Sequence, residues 1–190
     1  MTFKQFLNES MDYTKEMSDW FNKRTARHIS LVQKYAKLLE DKFGIKGLVD
    51  RAKDHDRSKY EEPERTPYIF ITWDYHCKDL KKEFKLPDDI KDKMNAASEH
   101  HVHSNRHHPE FYDDTSKINR EDRDKKPEKI VDATKMEDLD IAEMISDWLA
   151  MSEERGNKCI DWADKNVNIR WKFTDKQKDL IYKLIKGIEK

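Results

Sequence analysis

The stretch Thr25–Phe43 constrains the fold most: His28, Leu31, Val32, Tyr35, Leu38 and Leu39 recur at three- and four-residue spacing, the period of one helical stripe. The same spacing returns near the C-terminus, where Leu180, Ile181, Leu184, Ile185 and Ile188 follow Thr174 and Gln177, a pair at capping-box spacing. Thr134 with Glu137 predicts a further capped helix over Lys135–Arg155. Gly44 and Gly47 separate the first helix from a second over Gly47–Asp56. Pro63 and Pro67 then break the pattern. Tyr68–Phe84 reads as a helix, with a strand as the alternative for Thr66–Trp73, and Pro87 suits the first turn of a helix over Pro87–Val102. Only 4 Gly and 5 Pro in 190 residues leave little room for the turns of a many-stranded β protein. The expectation is an all-α domain of about six helices.

Two segments fall outside that pattern. Residues 1–24 read as an N-terminal helical extension to a domain over 25–190. Residues 104–133 read as an irregular loop. Within it Lys117, Arg120, Glu121, Asp122, Arg123, Asp124, Lys125, Lys126, Glu128 and Lys129 leave almost no apolar side chain to bury, which predicts a solvated loop or a lid that closes over substrate.

Charge and cysteine usage narrow the function. With 38 Lys and Arg against 39 Asp and Glu, the net charge is −1, which argues against a dedicated nucleic-acid or anionic-membrane binder. No apolar run approaches the ~20 residues that span a bilayer, and the N-terminus lacks a signal-peptide core, so a cytoplasmic protein is expected. Cys77 and Cys159 lie far apart with no CxxC, which excludes a disulfide scaffold and a Cys-rich zinc site.

Histidine carries the chemistry. Five of the eight histidines fall between His100 and His108, interspersed with Asn105, Pro109 and Glu110. Imidazole and carboxylate together form the ligand set for Mn, Fe, Co, Ni or Zn. His55 and Asp56 are adjacent, and at a helix end both can bend onto one ion. His28 lies on the apolar stripe, either as a ligand or as a core histidine satisfied by a hydrogen bond. Asp147 shares a face with Met144, Trp148 and Met151, so its carboxylate faces the core and must be paired with Arg or Lys, protonated or metal-bound. Ile90, Met94, Ala97 and His101 form one inward line, with His100 displaced by about a quarter turn. The turn Asn105, His107, His108, Glu110 can aim polar groups into a cleft, where one histidine could move a leaving-group proton. The alternative is a surface turn in which Glu110 pairs with a histidine.

The order His28, then His55–Asp56, then Asp147 resembles the H…HD…D pattern of the HD-domain superfamily of metal-dependent phosphohydrolases, an all-α fold. HDRSK matches the HD-x-x-K form. More narrowly, HDRSKYEEPERTPY, HHVHSNRHHPEFY and IAEMISDWLAMSEERG resemble an uncharacterised phage and bacterial HD-like family with HD-x-SK, E-x-x-PY, N-x-HHPE and DW motifs, over about residues 25–171. The resemblance implies that His28, His55, Asp56 and Asp147 bind one metal. Comparison with the HD-GYP relatives implies that His101 or His100 serves near a second, with His76 as a further option. It implies that Lys59 faces substrate phosphate and that Glu64 and Tyr68 support a ligand from behind; the chemistry of the turn itself predicts that Asn105 and Glu110 contact substrate, with His107 or His108 as the proton-transfer residue. The HD-GYP glycines are missing, which argues against cyclic di-GMP hydrolysis. The N-terminal MTFKQFLNE is similar to the leader of tailed-phage head-associated proteins, which implies packaging into a phage head as an alternative location.

These features predict a hydrolase for a nucleotide or nucleotide-like phosphoester using one or two divalent transition ions, in the host cytoplasm if phage-encoded. Two alternatives stay open: an HD-fold di-iron oxygenase, and a catalytically silent phage-encoded metal-binding protein that blocks a host factor. Oligomeric state, homo-oligomer included, is also open.

Overall fold

A computed structural model describes residues 13–115, 117, 119, 120, 125, 127 and 129–189. Among them are seven α-helices: α1 Lys15–Phe43, α2 Leu48–Ala52, α3 Arg65–Asp79, α4 Ile90–Ser104, α5 Asp138–Arg155, α6 Cys159–Asn166 and α7 Asp175–Ile188. Short 3₁₀ turns cover Arg57–Tyr60 and Pro109–Tyr112. Two two-residue strands, β1 Val131–Asp132 and β2 Trp171–Lys172, pair in parallel with Val131 opposite Trp171. The fold is all-α.

The chain divides into two units, with α1 contributing to both. The described residues of 13–25, 57–101 and 117–120 make one. Its core is Met17, Phe21, Ile69, Phe70, Ile71, Ile90 and Met94. Arg120 is held in this unit: its guanidinium donates to Ser98 Oγ at 3.2 Å and Tyr75 Oη at 3.3 Å, and its backbone N–H to Asn95 Oδ1 at 3.2 Å. Most of the segment expected to form a lid, including Glu121–Asp124, Lys126 and Glu128, lies outside the described residues, as do residues 1–12.

The described residues of 26–56, 102–115 and 125–189 make the other unit. Here α5 packs on α7, α2 and α6, and the core runs through Leu39, Leu48, Ile141, Ile145, Leu149, Ile181, Leu184 and Ile185. The buried stripe of α1 in this unit is His28, Val32, Ala36 and Leu39, whereas Leu38 is 42% exposed. At about 100° per residue, Leu38 falls well off the stripe centred near Val32 and Leu39, so spacing alone overextended it.

Helix ends explain most boundary differences. The Thr174–Gln177 capping box forms as expected: Thr174 Oγ1 accepts from the Gln177 N–H at 3.2 Å, and Gln177 Oε1 accepts from the Thr174 N–H at 2.8 Å. Gln177 also donates its amide to the carbonyl of Met136 at 2.8 Å. Thr134 does not cap α5. Its hydroxyl donates to Asp132 Oδ1 at 2.6 Å, and the box is built one turn later from Glu137 and Asp140. Gly156, at φ 66°, closes α5 in the left-handed conformation that glycine adopts without a Cβ clash. Helix α3 resolves the strand alternative for Thr66–Trp73 in favour of helix.

Thr174→Ala removes one half of a box whose other half is buried. It should cost about 1 kcal/mol and lower Tm by roughly 2–4 °C for a chain of this size. Thr174→Ser should recover most of the loss in a thermal melt. An unchanged Tm for the alanine variant would show that α7 is held by packing alone.

Candidate metal centre

Helix α5 supplies the floor of the centre. Asp140, Glu143, Asp147 and Glu154 recur at three-, four- and seven-residue spacing, so the helix presents one acidic line among its buried apolar residues. Each acid meets a basic partner within the same unit. Asp140 is bound by Arg106, with Nη2 at 2.9 Å and Nε at 3.1 Å, and by Arg51 and the Tyr112 hydroxyl. Burial opposes its charge, but these donors hold its carboxyl below the usual range. Glu143 receives His55 Nδ1 at 3.0 Å, Arg51 Nε at 3.1 Å and His107 Nδ1 at 3.5 Å. His28 lies between the last two acids, with Nε2 3.1 Å from Asp147 Oδ1 and Nδ1 3.3 Å from Glu154 Oε2.

Asp56 is the point of convergence. The chain leaves α2 at Ala52, turns through His55, and carries Asp56 in the left-handed region at φ 57°. That turn lets neighbouring side chains bend the same way, which no regular helix allows. His28 Nε2 lies 3.7 Å and His55 Nε2 3.8 Å from Asp56 Oδ2, while His107 Nε2 lies 3.6 Å from Oδ1. All four side chains are buried.

The electrostatics are those of a buried anionic cluster. Asp56, Glu143, Asp147 and Glu154 face three imidazoles and one side of the Arg51 guanidinium. Burial opposes charge on His28, but its ion pairs with Asp147 and Glu154 and the charge of Asp56 outweigh this and push its pKa up to about 9. Burial likewise opposes charge on Asp147, yet His28 holds it well below the ordinary carboxylate range. Glu143 falls to about 2 because His107 and His55 outweigh its desolvation. His107 is pushed down, first by burial and then by the charge of His55.

Three sets of groups in this unit could hold a metal ion, with one ligand atom per residue lying within 4.8 Å of the others: His28, His55 and Asp147; His55, His107 and Glu143; and Asp56, His107 and His108. One observation tests the fit directly. His55 Nε2 is buried with no hydrogen-bond partner, while its Nδ1 is held by Glu143. A buried polar nitrogen without a donor or acceptor is costly. A carboxylate on one imidazole nitrogen with the other left facing outward is how ligating histidines are oriented.

The structure thus brings His28, His55, Asp56 and Asp147 together, and adds His107, expected as a proton-transfer residue, to the same cluster. His108 is half-buried, its ring 4.2 Å from that of His107. Asn105 closes the turn, its carbonyl accepting from the His108 N–H at 3.0 Å. Glu110 departs from the substrate-contact expectation. It is buried and accepts from the Trp171 indole N–H at 2.8 Å, and burial pushes its pKa up. Packing claimed this carboxylate because β2 brings Trp171 over the turn.

The remaining expected residues lie in the other unit. Glu64 is fully buried and receives His100 Nδ1 and His101 Nδ1, each at 2.8 Å, and the Ser58 hydroxyl at 3.0 Å. Burial opposes its charge, but His101 and His100 hold its pKa down. The Tyr68 ring meets His101 edge-on at 5.5 Å, so Glu64 and Tyr68 both contact this histidine. His101 is buried, whereas the His100 side chain is 41% exposed. Lys59 Nζ lies 5.2 Å over the Tyr68 ring. His76 stacks on Trp20 at 3.6 Å, a packing role.

Sequence reasoning missed Glu143 and Glu154. The recurrence of acids at helical spacing along α5 was the available signal. No helix among the described residues is long and apolar enough to cross a membrane. No curated protein and no solved structure matches the chain. A family model matches residues 17–187, and the chain belongs to that family, DUF5662, a family of unknown function.

Proposed function

We propose that this chain is a metal-dependent phosphohydrolase of HD-domain type, acting on a nucleotide or nucleotide-like phosphoester. The carrying observation is the convergence of three buried imidazole Nε2 atoms on Asp56, beside Asp147. In this reading His28, His55, Asp56 and Asp147 hold a divalent transition ion, in agreement with the H…HD…D order. A bound ion there supplies Lewis acidity toward a phosphoryl oxygen. The carboxylates favour a cation, and the imidazole nitrogens as ligands favour Mn, Fe, Co, Ni or Zn over Ca or Mg.

The other residues act on substrate. His108, half-buried and packed at a tilt against His107, carries the leaving-group proton. Asn105, on the same turn, offers its amide to substrate. Lys59 takes its part from the HD-x-x-K order, as the cation that holds phosphate charge.

Protein purified without chelator should contain a first-row transition ion and release phosphate from at least one member of a nucleotide library. His108→Ala should retain that ion and lower kcat by roughly 10²-fold or more, the usual size of a general acid–base contribution. Metal-loaded wild-type protein that releases phosphate from no nucleotide or phosphoester would overturn the reading, and so would wild-type kcat in His108→Ala.

A further inference from the structure

We infer that Glu143 is a positioning residue that commits two histidines, His55 and His107, to present their Nε2 atoms together, making His107 a metal ligand rather than a proton carrier. The inference rests on the metal-centre reading above and extends it to residues that the H…HD…D order does not contain.

The rings of His55 and His107 lie 4.2 Å apart, inclined by 37°, so the same edges face the same way. On one side, both Nδ1 atoms face a single oxygen, Glu143 Oε1, at 3.0 and 3.5 Å. On the other, both Nε2 atoms face the Asp56 carboxylate, at 3.8 and 3.6 Å, one to each oxygen. A carboxylate only accepts hydrogen bonds, so a neutral ring against Glu143 must carry its proton on Nδ1. The Nε2 lone pairs then point at Asp56, where two acceptors facing a carboxylate repel unless a cation lies between them. His55 Nε2 has no hydrogen-bond partner to relieve this.

The carboxylate is itself anchored. Glu143 Oε2 receives Arg51 Nε at 3.1 Å, and Arg51 is fastened by Asp140, whose other side-chain donors are Arg106 and Tyr112. Arg106 and His107 are adjacent in the chain. The turn that delivers His107 is therefore clamped to α5 by Arg106–Asp140 at one residue and by His107–Glu143 at the next. A proton carrier must reach substrate and exchange with water. A buried ring, fixed from behind on a clamped turn and packed against the more accessible His108, is suited to ligation.

Ring tautomers are read first, in the metal-free protein, by long-range ¹H–¹⁵N NMR at a pH where the ring ¹⁵N shifts themselves show both rings neutral. Both His55 and His107 should be Nδ1–H tautomers in wild type. In Glu143→Ala the Nε2–H tautomer should appear, and affinity for Co²⁺, followed by its visible spectrum, should fall roughly 10–100-fold. Glu143→Gln, whose amide oxygen still accepts a hydrogen bond, should restore the tautomers and part of the affinity. His107→Ala should weaken Co²⁺ binding and change its spectrum.

An Nε2–H tautomer at either ring in wild type would overturn the inference without need of any variant, and it covers a Glu143→Ala that fails to fold. Unchanged Co²⁺ affinity and spectrum in His107→Ala would overturn it as well. Wild-type protein with both Nδ1–H tautomers but no Co²⁺ binding at all would instead sink the metal-centre reading, and with it the ligand role given to His107.

Discussion

Asp56→Asn protein, purified without chelator, is expected to lose its transition ion and to melt below wild type. Asparagine is chosen because Asp56 sits at φ 57°, a conformation that Asn tolerates and Ala does not. The substitution therefore removes charge with little backbone cost. What remains is an amide facing three imidazole nitrogens at 3.6–3.8 Å, a far poorer partner for a cation. An ion that binds only the folded state stabilises it by about 2.7 kcal/mol at one hundred times its dissociation constant. At roughly 2–4 °C per kcal/mol for this size, wild type should melt about 5–10 °C above the variant in the presence of metal. With excess chelator the two should melt nearly together. Full metal stoichiometry in Asp56→Asn would remove Asp56 from the ligand set. A gap in Tm that chelator leaves unchanged would show that the carboxylate stabilises through its histidine pairs alone.

The second large effect is expected at Trp171. Its ring is 8% exposed and stacks on Trp148 at 5.5 Å, its backbone forms β2 against Val131, and its indole N–H is the donor to buried Glu110. Trp171→Ala opens a cavity and strips that donor from Glu110. Large-to-small aromatic truncation in a core costs about 3–5 kcal/mol, and an unsatisfied buried carboxyl adds to this. Trp171→Phe keeps most of the packing and isolates the hydrogen bond, at about 1–3 kcal/mol. Glu110→Gln, which keeps an acceptor in place, should be milder than either. The two tryptophan variants should differ in denaturant midpoint. If they are equal, the ring packing contributes nothing; a wild-type midpoint in Trp171→Phe would show instead that the indole–carboxylate bond contributes nothing. Because Glu110 lies two residues beyond His108, Trp171→Phe should also loosen the turn that carries His107, seen as weaker metal retention in a still folded protein.

Local signals were legible in the chain. The α7 capping box needs only Thr174 and Gln177, three residues apart, and it forms as written. The inward line Ile90, Met94, Ala97, His101 is buried as its period requires. The all-α class follows from the same periodicity together with scarce glycine and proline. Where two local signals competed, spacing could not choose between them. Thr134 and Glu137 sit at box spacing, but the Thr134 hydroxyl reaches Asp132 within two residues, a shorter loop to close, and the helix starts later. Helix α6 is eight residues long, too short for periodicity to separate it from a turn. The strand pair unites residues forty apart for two rungs, a pairing without a local cause.

The candidate site divides in the same way. His28, His55, Asp56 and Asp147 stand out because their residue types are costly to bury and their order is distinctive. Their partners do not stand out, since an acid on a helix reads as solvated until something packs over it. Glu143 acts as a positioning group only because α2 ends above α5 and the turn after α4 returns to the same place, which brings His55 and His107 onto one oxygen. Glu110 shows the converse: its sequence context suggested substrate contact, and the pairing of β2 with β1 put an indole on it instead. Residue chemistry and short-range spacing determined which side chains could act, because those depend on the chain alone. Only the tertiary structure decided which carboxylate meets which imidazole, because hydrogen bonds reach about 3 Å and that proximity comes from packing between distant elements.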